Sequence, residues 1–222
     1  MNRNLLKIIA VVSMLVDHIG AYLFPDILIF RIIGRIAFPI FAYFIAEGWK
    51  RTRSKKKYFF MLVIFAVISQ IPYFLLRRNL ELNILFTFIL SIALIYFIEK
   101  YKNNSILSML GLAGIFLISV IGHIFGIIDY GIIGILIPAI IYFVSNKNLS
   151  FLFFGILLCL IPLEIYLLDS ITFQNSIQFF SLISLFLLYL YNGEKGKINL
   201  KYFFYIFYPL HLLVIYIIKI LI

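Results

Sequence analysis

Lys7, Asp17 and His18 stand inside the first membrane-length apolar stretch of the chain, Leu5–Phe24. A charged group near the centre of a bilayer helix costs about 3 kcal/mol, so such groups face a protein interior or a wet cavity. They point to chemistry or transport inside a membrane rather than to an inert anchor. Lys7 and His18 are eleven residues apart, which returns within about 20° of the same helix face and separates them by about 16 Å. One face then presents a cation near one end and an imidazole near mid-membrane. Asp17 points about 100° away and needs a different partner. A histidine can serve as a general base near neutral pH. The plainer alternative is a Lys7 that snorkels to the headgroups and a hydrogen-bonded core His18.

Further polar groups interrupt the other apolar stretches. Arg31 and Arg35 are one turn apart and share a face. Arg35 is the deeper of the two, with Asp17 as its expected counter-ion. Pro39 should free a backbone carbonyl and bend its helix. Glu47 falls beside a run of basic residues and can pair locally with it. Gln70 can hydrogen-bond between helices. His123 and Asp129 fall in one loop, where they could bind an acceptor or be ordinary loop residues, and Arg31 could equally snorkel outward. In the last stretch Pro209 precedes His211, a second mid-membrane histidine that could converge on His18. No His-x3-His, Glu-x-x-His or cysteine pair is present, so no metal is expected. Phosphate-binding glycine loops and a G-x-S-x-G elbow are also absent.

The elements that carry these groups are membrane-type. Of 222 residues, 64% are hydrophobic and 13% charged, too apolar for a soluble domain. Nine apolar segments can be marked, giving an all-α, polytopic membrane bundle of about nine spans (eight to ten) in a single domain, 1–222. They are Leu5–Phe24, Leu28–Gly48, Tyr58–Leu76, Ile84–Ile98, Ile106–Gly122, Ile132–Val144, Phe151–Leu168, Asn175–Tyr191 and Phe203–Ile222. The net charge of +10 lies mainly in short loops, where it signals topology and lipid contact rather than nucleic-acid binding. The second connection holds Lys50, Arg51, Arg53, Lys55, Lys56 and Lys57. The fourth, sixth and eighth hold Lys100, Lys102, Lys147, Lys195, Lys197 and Lys201. Apart from Arg77 and Arg78, the odd connections are poor in Lys and Arg. The positive-inside rule therefore expects a cytoplasmic N-terminus in a cytoplasmic membrane. Asp17-His18 interrupts what would be a signal-peptide core, so the first span is expected to be retained.

The residues carry a resemblance. Lys7–Gly20, then Arg31-Ile-Ile-Gly-Arg-Ile-Ala-Phe-Pro-Ile-Phe-Ala-Tyr-Phe-Ile-Ala-Glu-Gly, resemble the opening of TraX family proteins. The likeness continues through Thr52, Tyr58, Phe65-Ala66 and Ser69-Gln70-Ile71-Pro72. Asp129-Tyr130-Gly131 and Phe207-Tyr208-Pro209-Leu210-His211 complete it. TraX is named for N-terminal acetylation of conjugative F-type pilin. The family is similar to larger transmembrane acyltransferases that often carry a basic residue, ten residues, then histidine; Lys7 and His18 have that spacing.

The resemblance implies a membrane acyltransferase using acetyl-coenzyme A from the cytosol. His18 would be the catalytic histidine, with Asp17, Arg35 and His211 as its companions. Lys7 would lie on the donor side, joined by Glu47, Lys50, Arg51, Arg53 and Lys55. The acceptor would be a protein N-terminus or an envelope glycan, bound in the outer half near Arg31, Gln70, His123 and Asp129. This reading expects Lys7, His18 and His211 to line one cavity open to the basic loop. Its rivals are a proton-coupled transporter or flippase and a non-catalytic subunit of a secretion or conjugation machine.

Overall fold

In the computed structural model, residues 1–168, 176–196 and 201–222 are described. The described chain is helical: α1 (Arg3–Tyr22), α2 (Leu28–Gly34), α3 (Ala37–Arg51), α4 (Lys55–Arg77), α5 (Ile84–Lys100), α6 (Ser105–Ile124), α7 (Gly131–Phe143) and α8 (Lys147–Leu168). A 3-10 turn (Ile177–Leu182), α9 (Ile183–Tyr189) and α10 (Lys201–Leu221) follow. Asn175, which opens the eighth expected segment, lies outside the described residues.

Among the described residues, four stretches are long and apolar enough to cross a membrane: Arg3–Tyr22, Leu28–Arg51, Lys55–Arg77 and Phe203–Leu221. α7 has 13 residues and is too short to cross without tilt-free thinning of the bilayer. Polar and apolar groups are distributed to suit hydrocarbon surroundings. Arg35, Asn83, Thr87, Ser91 and His211 are buried, whereas Ile71 is 67% and Phe116 59% exposed. In water that surface would be a large aggregation-prone patch; against lipid it needs no cover.

α3 is central. Ala37, Phe38, Ile40, Ala42, Phe44, Ala46 and Trp49 along it are buried, and it packs against α1, α5 and α7. α1 also packs against α2 and α10, and α10 packs against α4. The second expected segment does bend, but as a full break. Residues 35 and 36 leave the helix between α2 and α3. Pro39 has no N–H to donate to the carbonyl four residues back, which is that of Arg35. The break lies at the carbonyl the proline frees.

Two connections are tied together. Leu82 and Ile128 form a parallel bridge, with the Leu82 N–H donating to the Ile127 carbonyl at 2.7 Å. The loop from α6 to α7 turns through left-handed backbone at Gly126, Tyr130 and Gly131. A Cβ on Gly134 would come within 2.6 Å of the Tyr130 Cβ, so the start of α7 is fitted around that residue.

Candidate active site

The helical arithmetic of α1 places Lys7 and His18 against one neighbour. Lys7 Nζ lies 5.2 Å from the Phe204 ring centre on α10, and His18 meets His211 seven residues further along that helix. His18 Nδ1 and His211 Nε2 are 2.6 Å apart, with ring planes within 5° of each other. His211 Nδ1 lies 2.8 Å from the Phe207 carbonyl. A carbonyl only accepts, so this nitrogen carries a proton and His211 Nε2 does not when the ring is neutral. His18 Nδ1 must then donate to His211. The Nε2 of a neutral His18 is left as the unprotonated nitrogen. One carbonyl thus fixes the tautomer of both rings and leaves His18 with a free basic site.

Asp17, one residue away, takes the different partners its angle required. Arg35 Nη2 donates to Asp17 Oδ1 at 2.8 Å, and Arg31 Nη1 lies 2.6 Å from Oδ2. Arg31 also donates to the Asp17 carbonyl at 3.2 Å. Arg35 Nε donates back to the Arg31 carbonyl at 3.2 Å, at the end of α2. The helix break and this bond together hold the Arg35 guanidinium in place. Gly34 makes the close approach possible: a Cβ there would lie 2.1 Å from Asp17 Oδ1.

Asp17, His18, Arg31, Gly34 and Arg35 line a cavity of about 430 Å³; His211, expected on the same wall, is not part of the lining and reaches the site through His18. Asp129 is also on its wall, with Tyr22, Tyr73, Arg77, Glu81, Tyr130, Gln178 and Tyr208. Arg77 is paired with Glu81. The Tyr130 ring stacks on Phe38 at 3.8 Å. Asp129 is brought to the wall by its loop, where the Thr87 hydroxyl donates to its carbonyl at 2.8 Å. Burial pushes the Asp129 carboxyl up to about 6, against the opposing pull of Arg77 and with a further push from Glu81.

The remaining expected residues lie elsewhere. Lys7 is enclosed between the rings of Phe44 and Phe204 and does not line the His18 cavity. Glu47, Lys50 and Arg51 line a second cavity of about 320 Å³ with Lys147. The Glu47 carboxylate is engaged by Arg51 at 2.8 Å, Arg3 at 3.3 Å and the Tyr191 hydroxyl at 3.0 Å. Arg53 is exposed and lines neither cavity. Lys55 pairs with Glu99 at 2.5 Å beneath the Trp49 ring. Gln70 closes the α4–α5 connection: it donates to the Glu81 carbonyl at 2.8 Å and accepts from Asn83. The side chain of His123 lies outside the described residues. The expected single cavity from the basic loop to His18 is thus two cavities, with separate linings. Arg77, Tyr130, Gln178 and Tyr208 were not singled out from the sequence. Arg77 carried a signal, since it broke the alternation of loop charge.

An apolar helical body with membrane-length spans, enclosing a histidine pair and a carboxylate shared by two arginines, defines a helical membrane protein with an internal polar site. The chain belongs to the TraX protein family, whose profile matches residues 2–219. It is 27% identical over 241 aligned residues to a probable fimbrial assembly protein FimC, serogroup H1, of Dichelobacter nodosus, covering 96% of each chain. It is 35% identical over 154 residues to the uncharacterized protein RP591 of Rickettsia prowazekii (strain Madrid E). That alignment takes in 67% of this chain and 58% of the relative. No solved structure is significantly similar to the chain.

Proposed function

We propose that this protein is a multi-pass acyltransferase of the bacterial cytoplasmic membrane. In this reading it moves an acetyl group from cytosolic acetyl-coenzyme A to an amine or hydroxyl at the outer half of the bilayer. The observation that carries the reading is the His18–His211 pair, whose tautomers leave Nε2 as the basic nitrogen of His18, a residue on the wall of a cavity that also carries Asp17, Arg31 and Arg35. Family membership supports it, as does the concentration of basic residues on even connections, which favours nine spans with the N-terminus in the cytoplasm.

The reaction runs as follows in this reading. The acceptor N–H or O–H gives its proton to His18 Nε2 as its heteroatom attacks the thioester carbonyl carbon. The resulting imidazolium is steadied because His18 Nδ1–H already donates to His211 Nε2. Arg31 and Arg35 stabilise the negative charge that forms on the carbonyl oxygen. The carbonyl re-forms, the C–S bond breaks, and the coenzyme A thiolate takes the proton from His18. The acceptor gains an acetyl group and no covalent acyl-enzyme is needed.

Acetyl-coenzyme A is a substrate here, and its phosphates suit the cations Lys50, Arg51 and Lys147 around the second cavity. Its acyl arm has to pass along the seam between α1 and α10, from Lys7 to His18. That passage requires the Phe204 ring to swing from Lys7. The test is purified protein with radiolabelled acetyl-coenzyme A and isolated envelope fraction. We expect donor binding and transfer of label, with transfer abolished in His18→Ala at unchanged expression. Absence of both binding and transfer would sink the reading. Proton-coupled solute uptake into proteoliposomes without label transfer would favour a transporter.

A further inference from the structure

Gln178 stands on the 3-10 turn and reaches the wall of the same cavity as Asp17, His18 and Arg35. The residue is only 8% exposed, yet its Oε1 has no hydrogen-bond partner. Buried amide oxygens are nearly always paired, and an unpaired one opposes folding. The turn does not need it. Its hold on the fold comes from Ile177, which is buried, from packing on α8, α2 and α3, and from the Ser184 hydroxyl donating to the Ser181 carbonyl at 2.5 Å. A leucine would fill the space of Gln178 with no orphaned polar atom.

The charged groups of the wall do not supply the missing donor. Arg31, Arg35 and Arg77 keep N–H groups beyond those they give to Asp17 and Glu81, but none of these reaches Gln178 Oε1. An oxygen can only accept, so what it lacks is an N–H or O–H donor. The acetyl carbonyl of the acyl donor cannot donate; an amide N–H of its pantetheine arm and an N–H or O–H of the acceptor both can, and the two KM values below separate them.

We propose that Gln178 binds the acceptor, its side-chain oxygen taking a hydrogen bond from an N–H or O–H group adjacent to the nucleophile. This rests on the acyl-transfer reading above for the word acceptor, but the claim that the oxygen serves a ligand does not. The substrate class is therefore one that carries a second hydrogen-bond donor beside the group that is acylated. Sites that hydrogen-bond a substrate donor reject analogues lacking it far more strongly than apolar pockets discriminate by size.

Two measurements test this. Gln178→Leu, purified in detergent, should melt at or above the temperature of the unsubstituted protein, because it removes an unpaired buried oxygen. A fall of several degrees would overturn the proposal, since the amide would then be serving the fold. In label transfer from radiolabelled acetyl-coenzyme A, Gln178→Leu should raise the half-saturating amount of envelope fraction at least tenfold. The KM for acetyl-coenzyme A should stay unchanged, and Gln178→Glu, which keeps an accepting oxygen, should recover most of the loss. Unchanged dependence on envelope fraction, or a rise confined to the acetyl-coenzyme A KM, would overturn it. If the unsubstituted protein transfers no label, the acyl-transfer reading fails on its own. The melting comparison then still decides whether this oxygen serves a ligand or the fold.

Discussion

His18 and His211 share one proton position, with their facing nitrogens 2.6 Å apart. The Phe207 carbonyl on the far side of His211 decides which ring holds it. A neutral histidine thus does the orienting work that a carboxylate does in a serine–histidine–aspartate triad, without placing another charge at membrane depth.

His211→Gln keeps an oxygen that can accept from His18 Nδ1, whereas His211→Phe keeps only the ring. Label transfer should fall by about 100-fold or more in the phenylalanine variant, as expected for loss of an oriented base. The glutamine variant should retain a substantial part of the rate. Equal rates in the two variants would remove the tautomer from the mechanism.

Asp17→Asn should destabilise the protein by about 3 kcal/mol, because it leaves the Arg35 guanidinium, 10% exposed, without its counter-charge. Arg31, at 31% exposed, contributes less for the same reason. Denaturant or thermal unfolding in detergent checks this, and an unchanged midpoint would show that solvent already satisfies both arginines.

Gly34→Ala places a methyl group against the Asp17 carboxylate. Forced overpacking of this kind costs about 1–3 kcal/mol. The same variant should displace Asp17 from the two arginines and lower transfer. Wild-type melting together with wild-type activity would mean that α1 and α2 can part at no cost.

Asp129 gives a pH dependence. Its carboxyl is held near 6 rather than in the usual carboxylate range, so the folded chain keeps a proton that the unfolded chain releases. That contribution to stability is fully present below about pH 4 and is lost as pH rises through about 6. In the same window the cavity gains a negative charge, so binding of an anionic probe such as inorganic phosphate should weaken as pH rises. Asp129→Asn should flatten both profiles across that window. A pH-independent melting temperature for the native chain between 4 and 7 would contradict the assignment.

Periodicity and charge made part of this legible. The eleven-residue spacing put Lys7 and His18 on one face, and both do meet α10. Asp17 was read as the partner of Arg35, and Pro39 marked a bend that is a break four residues earlier. What escaped the sequence depends on which helices become neighbours. Nothing local says that Phe44 and Phe204 will enclose Lys7, or that Arg3 and Tyr191 will join Arg51, the local partner the sequence offered, on Glu47. Gln70 looks like any polar group in an apolar span until the α4–α5 turn presents it with Asn83 and the Glu81 carbonyl. Gln178 gave no signal, because a lone amide is unremarkable until its surroundings are found to lack a donor.

The bridge between Leu82 and Ile128 ties the connection that carries Glu81 to the loop that carries Asp129 and Tyr130. One part of the cavity wall is therefore made by loops joined to each other, and the rest by the helices, α1 to α5, α8 and α10, and by the 3-10 turn that carries Gln178. Insertions or deletions in the two loops would widen or narrow the cavity while the histidine pair and the Asp17 arginines stayed where the helices put them. In the acyl-transfer reading, the loop-borne part of the wall can then change shape while the histidine pair and the Asp17 arginines keep their geometry.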